Sequence, residues 1–130
     1  MSSNGLNKEE RIGAARSYHK RGCNCCQAVV MAYADLLPVS DEVALLMAKP
    51  FGRGLAGERE VCGCVSGMAL VCGLVGEDPQ LHDLIGQFRS ENGDIVCGRL
   101  LQSGKRPCTE LVACAAGLLA NALPEQPSAI

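Results

Sequence analysis

The sequence predicts an all-α fold, a single-domain helical bundle of about six to seven helices. Three observations carry this expectation. Apolar residues recur at three- and four-residue spacings, and no alternating stretch is long enough for a strand. Helix-starting Asn, Ser, Asp and Pro and helix-ending Gly and Pro cut the chain into helix-sized segments. Hydrophobic residues make up 48% of the 130 positions but aromatics only 3%, with no Trp. The core is therefore built from Ala, Leu, Val, Met and Cys, which suits closely packed helices. The length supplies one core and is too short for two domains.

The elements follow in order. Residues 1–6 read as a disordered tail, residues 7–123 as the domain and residues 124–130 as a second tail. Asn7 caps the first helix, and Glu10 three positions later completes a capping box. This helix runs to about His19, is weakly amphipathic, and stops at Gly22. Glu9, Glu10 and Arg11 read as its solvated face. The second helix starts near Asn24, places Val29, Ala32, Tyr33 and Leu36 on one face, and ends at Pro38. Ser40 caps the third, with Val43, Leu46 and Met47 inward. Pro50 and the loop from Phe51 to Gly57 stop it. The fourth, from Cys62 to about Val75, is apolar nearly all round and belongs at the centre. Gly63 and Gly67, four apart, invite close approach of another backbone. Asp78 and Pro79 start the fifth, whose Leu81, Leu84, Ile85 and Phe88 form an inward stripe; Asn92-Gly93 ends it. A short sixth helix spans roughly Ile95 to Leu101. Pro107 opens the last, with Leu111, Ala115, Leu118, Leu119 and Ala122 inside.

Composition excludes several functions. The net charge of −2 offers no basic surface for nucleic acid or anionic membrane. The longest uncharged run, Val61 to Gly76, is shorter than the roughly 20 residues that cross a bilayer. The first 22 residues are polar and resemble no signal peptide, so a cytoplasmic location is the default. No Ser/His/Asp set or carboxylate pair suggests hydrolysis. The loop from Phe51 to Gly57 lacks the Lys-Ser/Thr of a phosphate-binding loop.

Nine cysteines then demand a chemical reading. In a reducing compartment such a pattern points to metal binding or catalysis more than to disulfides, and the count is odd. Four of them sit where helices begin: Cys25 after Asn24, Cys62 after a glycine-rich loop, Cys97 after Gly93 and Asp94, and Cys108 after Pro107. Helix N-termini carry unpaired N–H groups and partial positive charge, which favour thiolate. Short loops make successive helices antiparallel, so the starts of the second, fourth and sixth helices fall at one end. The sixth is only about two turns, roughly 10 Å, and the Ser103 to Arg106 linker returns Cys108 to that end. The others separate by angle. Cys64 points about 200° away from Cys62 and is expected outside the site. Cys72 is expected in the core, and Cys114 on another face. Cys23 and Cys26 form a C-x-x-C without a preceding strand and are read as packing or reserve thiols.

These segments resemble a known family. Arg21-Gly22-Cys23-Asn24-Cys25-Cys26-Gln27-Ala28-Val29 is similar to its GYNCAQAV-type opening. Cys62-Gly63-Cys64-Val65-Ser66-Gly67 is similar to its CGAxxG motif, and Cys97-Gly98-Arg99-Leu100-Leu101 and Cys108 to its last two cysteines. The chain thus resembles the C_GCAxxG_C_C family of redox-active proteins from about Gly22 to Leu119. It also resembles the non-haem part of split-Soret cytochromes, whose cysteines are associated with an iron–sulfur cluster. No C-x-x-C-H is present, so haem is not implied. The resemblance implies key cysteines at Cys25, Cys62, Cys97 and Cys108, the four that the helix starts select. Cys64 stands where the motif usually has Ala, Arg53 interrupts a loop often richer in glycine, and Cys23 and Cys26 are additional.

The leading expectation is electron transfer or redox sensing through an iron–sulfur cluster of unspecified type, ligated by Cys25, Cys62, Cys97 and Cys108. Such a protein exchanges electrons with a redox partner protein and is an accessory more than a stand-alone enzyme. Glycines 52, 54, 57 and 63 would bring N–H groups to the sulfurs; an ordinary helix end and flexible loop explain them equally well. Three alternatives stay open: thiol–disulfide exchange with Cys62 attacking, a structural zinc site, and a helical interaction domain with buried cysteines. His19 and His82 read as surface residues. Arg59 and Arg99 either screen a thiolate or are simply exposed. The apolar fourth helix with Gly63 and Gly67 also permits a homodimer contact.

Overall fold

The capping box at Asn7 forms as the sequence predicts. The Asn7 side chain accepts from the Glu10 backbone N–H at 2.8 Å, and Glu10 accepts from the Asn7 N–H at 2.9 Å. This opens α1, Lys8–Lys20, in the computed structural model, which describes residues 6–123. Apart from Leu6, the two expected tails lie outside the described residues. The remaining helices are α2 (Cys25–Met31), α3 (Asp41–Ala48), α4 (Gly63–Leu74), α5 (Leu81–Asn92), α6 (Cys97–Ser103) and α7 (Cys108–Ala122). Short 3₁₀ turns at Ala34–Leu36, Lys49–Phe51 and Asp78–Gln80 join them. Among the described residues there is no sheet, only an isolated antiparallel bridge between Val61 and Val96. No described helix is long and apolar enough to cross a membrane.

The core lies where α1 packs along α7 and α2 lies on α4, with α5 closing against α4 and α7. Val29, Met68, Val71, Leu84, Phe88, Val112 and Leu119 are fully or almost fully buried there. Each such side chain contributes about 1.5–3 kcal/mol relative to exposure. Leu84 and Phe88 form the expected α5 stripe, with Leu81 and Ile85 partly buried beside them. Cys72 is in the core as expected. Gly63 and Gly67 do admit a neighbouring backbone, and that neighbour is α2. A Cβ at 67 would lie 2.8 Å from the Val29 Cβ, and one at 63 would lie 3.0 Å from the Cys26 nitrogen.

Five expectations about the elements change. α2 ends at Met31 instead of running to Pro38, and Leu36 lies in the separate 3₁₀ turn that follows. Arg11 is buried rather than solvated: its guanidinium donates to the Ala32 carbonyl at 2.9 Å, pairs with both Asp35 carboxylate oxygens, and stacks 4.5 Å from the Tyr33 ring centroid. The inward face of α3 is the other stripe. Ala44 and Ala48 are buried, while Val43, Leu46 and Met47 are 43%, 62% and 36% exposed. The two alanines let α3 lie close to α2, a choice that periodicity alone does not make. Asp94 does not cap α6; it accepts from the N–H groups of Ile95 and Val96, and α6 begins two residues later than expected. Asp78 and Pro79 lie in a 3₁₀ turn, with α5 beginning at Leu81.

Candidate redox site

Four local devices bring separate stretches of chain to one end of the bundle. At α2, Asn24 caps through the Gln27 N–H at 2.9 Å, and the Gln27 side chain accepts from the Asn24 N–H in return, which sets Cys25 at the first helical position. Asn24 also donates to the Lys49 carbonyl at 3.0 Å, fastening the loop after α3 against this start. At α4, the Cys62 N–H donates to the Ile95 carbonyl at 2.8 Å, and the Cys97 N–H donates to the Glu60 carbonyl at 2.6 Å. Those two bonds flank the Val61–Val96 bridge and hold the starts of α4 and α6 side by side. At α7, Pro107 precedes Cys108, and two contacts tie this start to the end of α1. Arg16 pairs with Glu110 at 2.8 Å, and His19 Nδ1 meets Thr109 Oγ1 at 2.8 Å.

The result is one cavity of about 390 Å³ whose lining includes all four predicted cysteines, Cys25, Cys62, Cys97 and Cys108. Gly54 and Gly63 line it too, while Gly52 packs against Asn24 and Gly57 stands clear of it. The loop is tightly wound: Arg53, Leu55, Ala56 and Arg59 all take left-handed backbone, with φ of 55°, 73°, 53° and 60°. Such conformations cost non-glycine residues of order 1 kcal/mol or more each, and they cluster at functional sites. Among the described lining residues the charged and basic groups are His19, Arg53 and Arg59, with no carboxylate. Arg59 points its guanidinium at Cys97 Sγ, 3.6 Å away, although it is exposed. Arg99 pairs instead with Asp94 at 2.8 Å, and His82 is on the surface.

Two residues expected outside the site belong to it. His19 lines the cavity, with Nε2 4.0 Å from Cys25 Sγ. Its position in the last turn of α1, six residues before Cys25, was the available signal. Cys64 is fully buried in the first turn of α4, and its thiol acts on the acidity of both Cys25 and Cys62. The wide helical angle between Cys64 and Cys62 holds only where both residues are helical. Cys62 is the N-cap, with ψ of 134°, so its side chain turns back over the first turn. Cys23 also lines the cavity, Cys26 is packed beneath it, and Cys114 lies apart, receiving the Asn92 amide at 3.5 Å.

These contacts split the thiols by acidity. The Cys64 S–H bond, helped by the charge of His19 and a bond from Cys108, pulls Cys25 down to about 6 against the opposing effect of burial. The same S–H lowers Cys62. One S–H has one proton, so Cys25 and Cys62 share this donor rather than each holding it. Donating to two sulfurs and being buried push Cys64 well up. Burial raises Cys26 to about 12, and burial with the nearby Cys25 charge raises Cys108 to about 11. The arrangement therefore favours the thiolate of Cys25 and the protonated thiol of Cys64. In metal-free protein, alkylation of Cys25 by iodoacetamide should rise with a midpoint near pH 6 instead of 9. At pH 7 the thiolate fraction gains about 90-fold, and the lower nucleophilicity of an acidic thiolate removes about 15- to 30-fold of it. The net rate is about three to six times that of an ordinary cysteine. Mass spectrometry reads this site by site, and a midpoint above pH 8 refutes it. Cys26 and Cys64, with no exposed surface, should stay unmodified until the protein unfolds.

The domain is thus all-helical and cysteine-rich, with five cysteines lining one cavity whose charged and basic described members are His19, Arg53 and Arg59. The model of the family described as putative redox-active protein (C_GCAxxG_C_C) matches residues 23–122. The chain belongs to this family. No curated protein and no solved structure matches it.

Proposed function

We propose that this protein is an electron carrier or redox sensor whose cavity holds an iron–sulfur cluster on Cys25, Cys62, Cys97 and Cys108. One observation carries the reading: cysteines from the starts of four separate helices line a single cavity of about 390 Å³. Among the described residues, no three His, Cys, Asp or Glu side chains form a group that could hold one metal ion. A zinc ion would need its sulfurs about 2.3 Å from a common point. A cluster spans more space than one ion and is commonly held by four cysteines, a number that the cavity lining supplies.

The donor set fits such a group. A Cys-ligated cluster supplies one-electron chemistry. The residues around it supply its setting. Arg59 and His19 offset the negative charge of gathered thiolates. The buried Cys64 thiol acts on the acidity of two of the proposed ligands, and hydrogen bonds to ligand sulfurs help to set potential. Arg53 and Arg59 line the cavity and are exposed, so an electron partner of opposite charge would meet them there.

Anaerobic reconstitution with ferrous iron and sulfide tests the proposal. The product should be brown, contain iron and acid-labile sulfide in equal amounts, and bleach with dithionite. Cys62→Ala and Cys97→Ala should lose most of the iron, whereas Cys72→Ala and Cys114→Ala should keep it. A colourless, iron-free protein after reconstitution ends this reading.

A further inference from the structure

We propose that this chain pairs with a second copy of itself through the outward face of α3, as a symmetric antiparallel helix pair. The inference goes beyond the cluster reading and does not depend on it. No residue of α3 is among the described residues that line the cavity.

The bundle fixes α3 by its other side. Ala44 and Ala48 are buried, and α2 is the helix they pack on. The Gln27 side chain donates to the Leu45 carbonyl at 3.0 Å, and the Asn24 side chain donates to the Lys49 carbonyl at 3.0 Å. Held in this way, α3 cannot roll its second apolar stripe inward. Val43, Leu46 and Met47 therefore stay 43%, 62% and 36% exposed. Large apolar side chains gathered on one exposed face mark a contact surface, whereas single scattered ones do not. The strip runs on past the helix. Pro50 is exposed, and its carbonyl accepts from the Ala56 N–H at 2.7 Å, which brings the exposed Leu55 segment back to this end. The apolar α4, which the sequence offers for such a contact, is already used: Gly63 and Gly67 lie against α2.

Charge identifies what covers the face. At 100° per residue, Glu42 and Lys49 lie about 40° and 60° from Leu46 on one side, and Val43 and Met47 about 60° and 100° on the other. Glu42 and Lys49 are exposed, and among the described residues neither forms an ion pair. They stand two turns apart, roughly 10 Å along the axis. A two-fold axis across α3 sets a second α3 antiparallel to the first and keeps each flank beside its own copy. Glu42 then meets Lys49 of the second copy, and Lys49 meets the second Glu42. The same register brings Leu46 to Leu46 and Val43 to Met47. A parallel pair would set Glu42 on Glu42 and Lys49 on Lys49, which repels. One short helix from each copy makes a small interface, below about 1,200 Å² in total, of the kind that forms and separates readily.

Sedimentation equilibrium of the full chain, in excess reductant and low salt, tests the pairing. The mass should climb from monomer toward dimer between about 10 and about 500 µM, the range of a small transient contact. Leu46→Glu, at an exposed position, should keep the chain monomeric throughout. Should that variant fail to fold by circular dichroism, Val43→Lys takes its place. Lys49→Glu should raise the dissociation constant about tenfold or more, because it sets like charges together twice. The double reversal Glu42→Lys with Lys49→Glu should return the constant to within about threefold of the wild type. A wild-type chain that is monomeric at every concentration, or a Leu46→Glu variant that still dimerises, overturns the surface. A double reversal no tighter than Lys49→Glu overturns the antiparallel register. Assembly beyond the dimer overturns the closed two-fold pair.

Discussion

Gly67→Ala should destabilise this protein by about 1–3 kcal/mol, although alanine is the better helix former. The added Cβ would stand 2.8 Å from the Val29 Cβ, 3.1 Å from its Cγ1 and 3.2 Å from the Cys26 carbonyl. None of these atoms is the tip of a flexible side chain, so α2 and α4 must move apart. The displaced backbone is the first turn of α2, next to Cys25. The variant should therefore also weaken the Cys64 bond and shift the Cys25 alkylation midpoint upward from about 6. Gly86→Ala is the matched control. It lies mid-way along α5, where an added methyl would meet nothing within 4 Å, and should stabilise by about 0.5–1 kcal/mol. Urea midpoints at unchanged slope measure both. A Gly67→Ala protein as stable as the wild type would falsify the close helix contact.

Arg11→Ala should cost about 2–3 kcal/mol. Breaking a buried ion pair from one side costs roughly 3–5 kcal/mol, and the Asp35 side chain is 43% exposed, so water recovers part of that. The substitution also strands the Ala32 carbonyl and removes the cation from the Tyr33 ring. Tyr33 is itself anchored by its hydroxyl donating to the Ala116 carbonyl at 2.8 Å, so α1, α2 and α7 share the loss. Arg11→Lys should recover less than half of it, because one ammonium cannot serve the carbonyl and both carboxylate oxygens together. Thermal unfolding checks the series, and a loss below about 0.5 kcal/mol for Arg11→Ala would place the residue on the surface after all.

How far the sequence reaches is clearest at individual residues. Helix starts announce themselves through local chemistry: Asn7 with Glu10, Asn24 with Gln27, and Ser40 before Val43 each need only neighbours three positions away. Counting antiparallel helices from those starts puts Cys25, Cys62 and Cys97 at one end, and the shortness of the sixth helix with its linker brings Cys108 back to them. What stayed hidden depends on distant partners. Arg11 has the pattern of a surface residue until Asp35 and Ala32, more than 20 residues away, fold against it. Two overlapping apolar stripes compete on α3, and only contact with α2 chooses the one through Ala44 and Ala48. Cys64 escapes the angular count because its neighbour Cys62 leaves helical geometry at the cap, a matter of one dihedral angle. His19 enters the site because α7 returns Thr109 to it across 90 residues.

The bonds that join the end of α1 to the start of α7 have a consequence for biogenesis. Cys108 and the groups that steady its wall, Thr109 and Glu110, are translated more than 80 residues after Cys25. During synthesis the earlier sulfurs have no fourth companion, and the hollow lacks one side. Loading of the proposed cluster would therefore follow translation of α7. A nascent polypeptide stalled before that helix would emerge with its reactive sulfur uncovered.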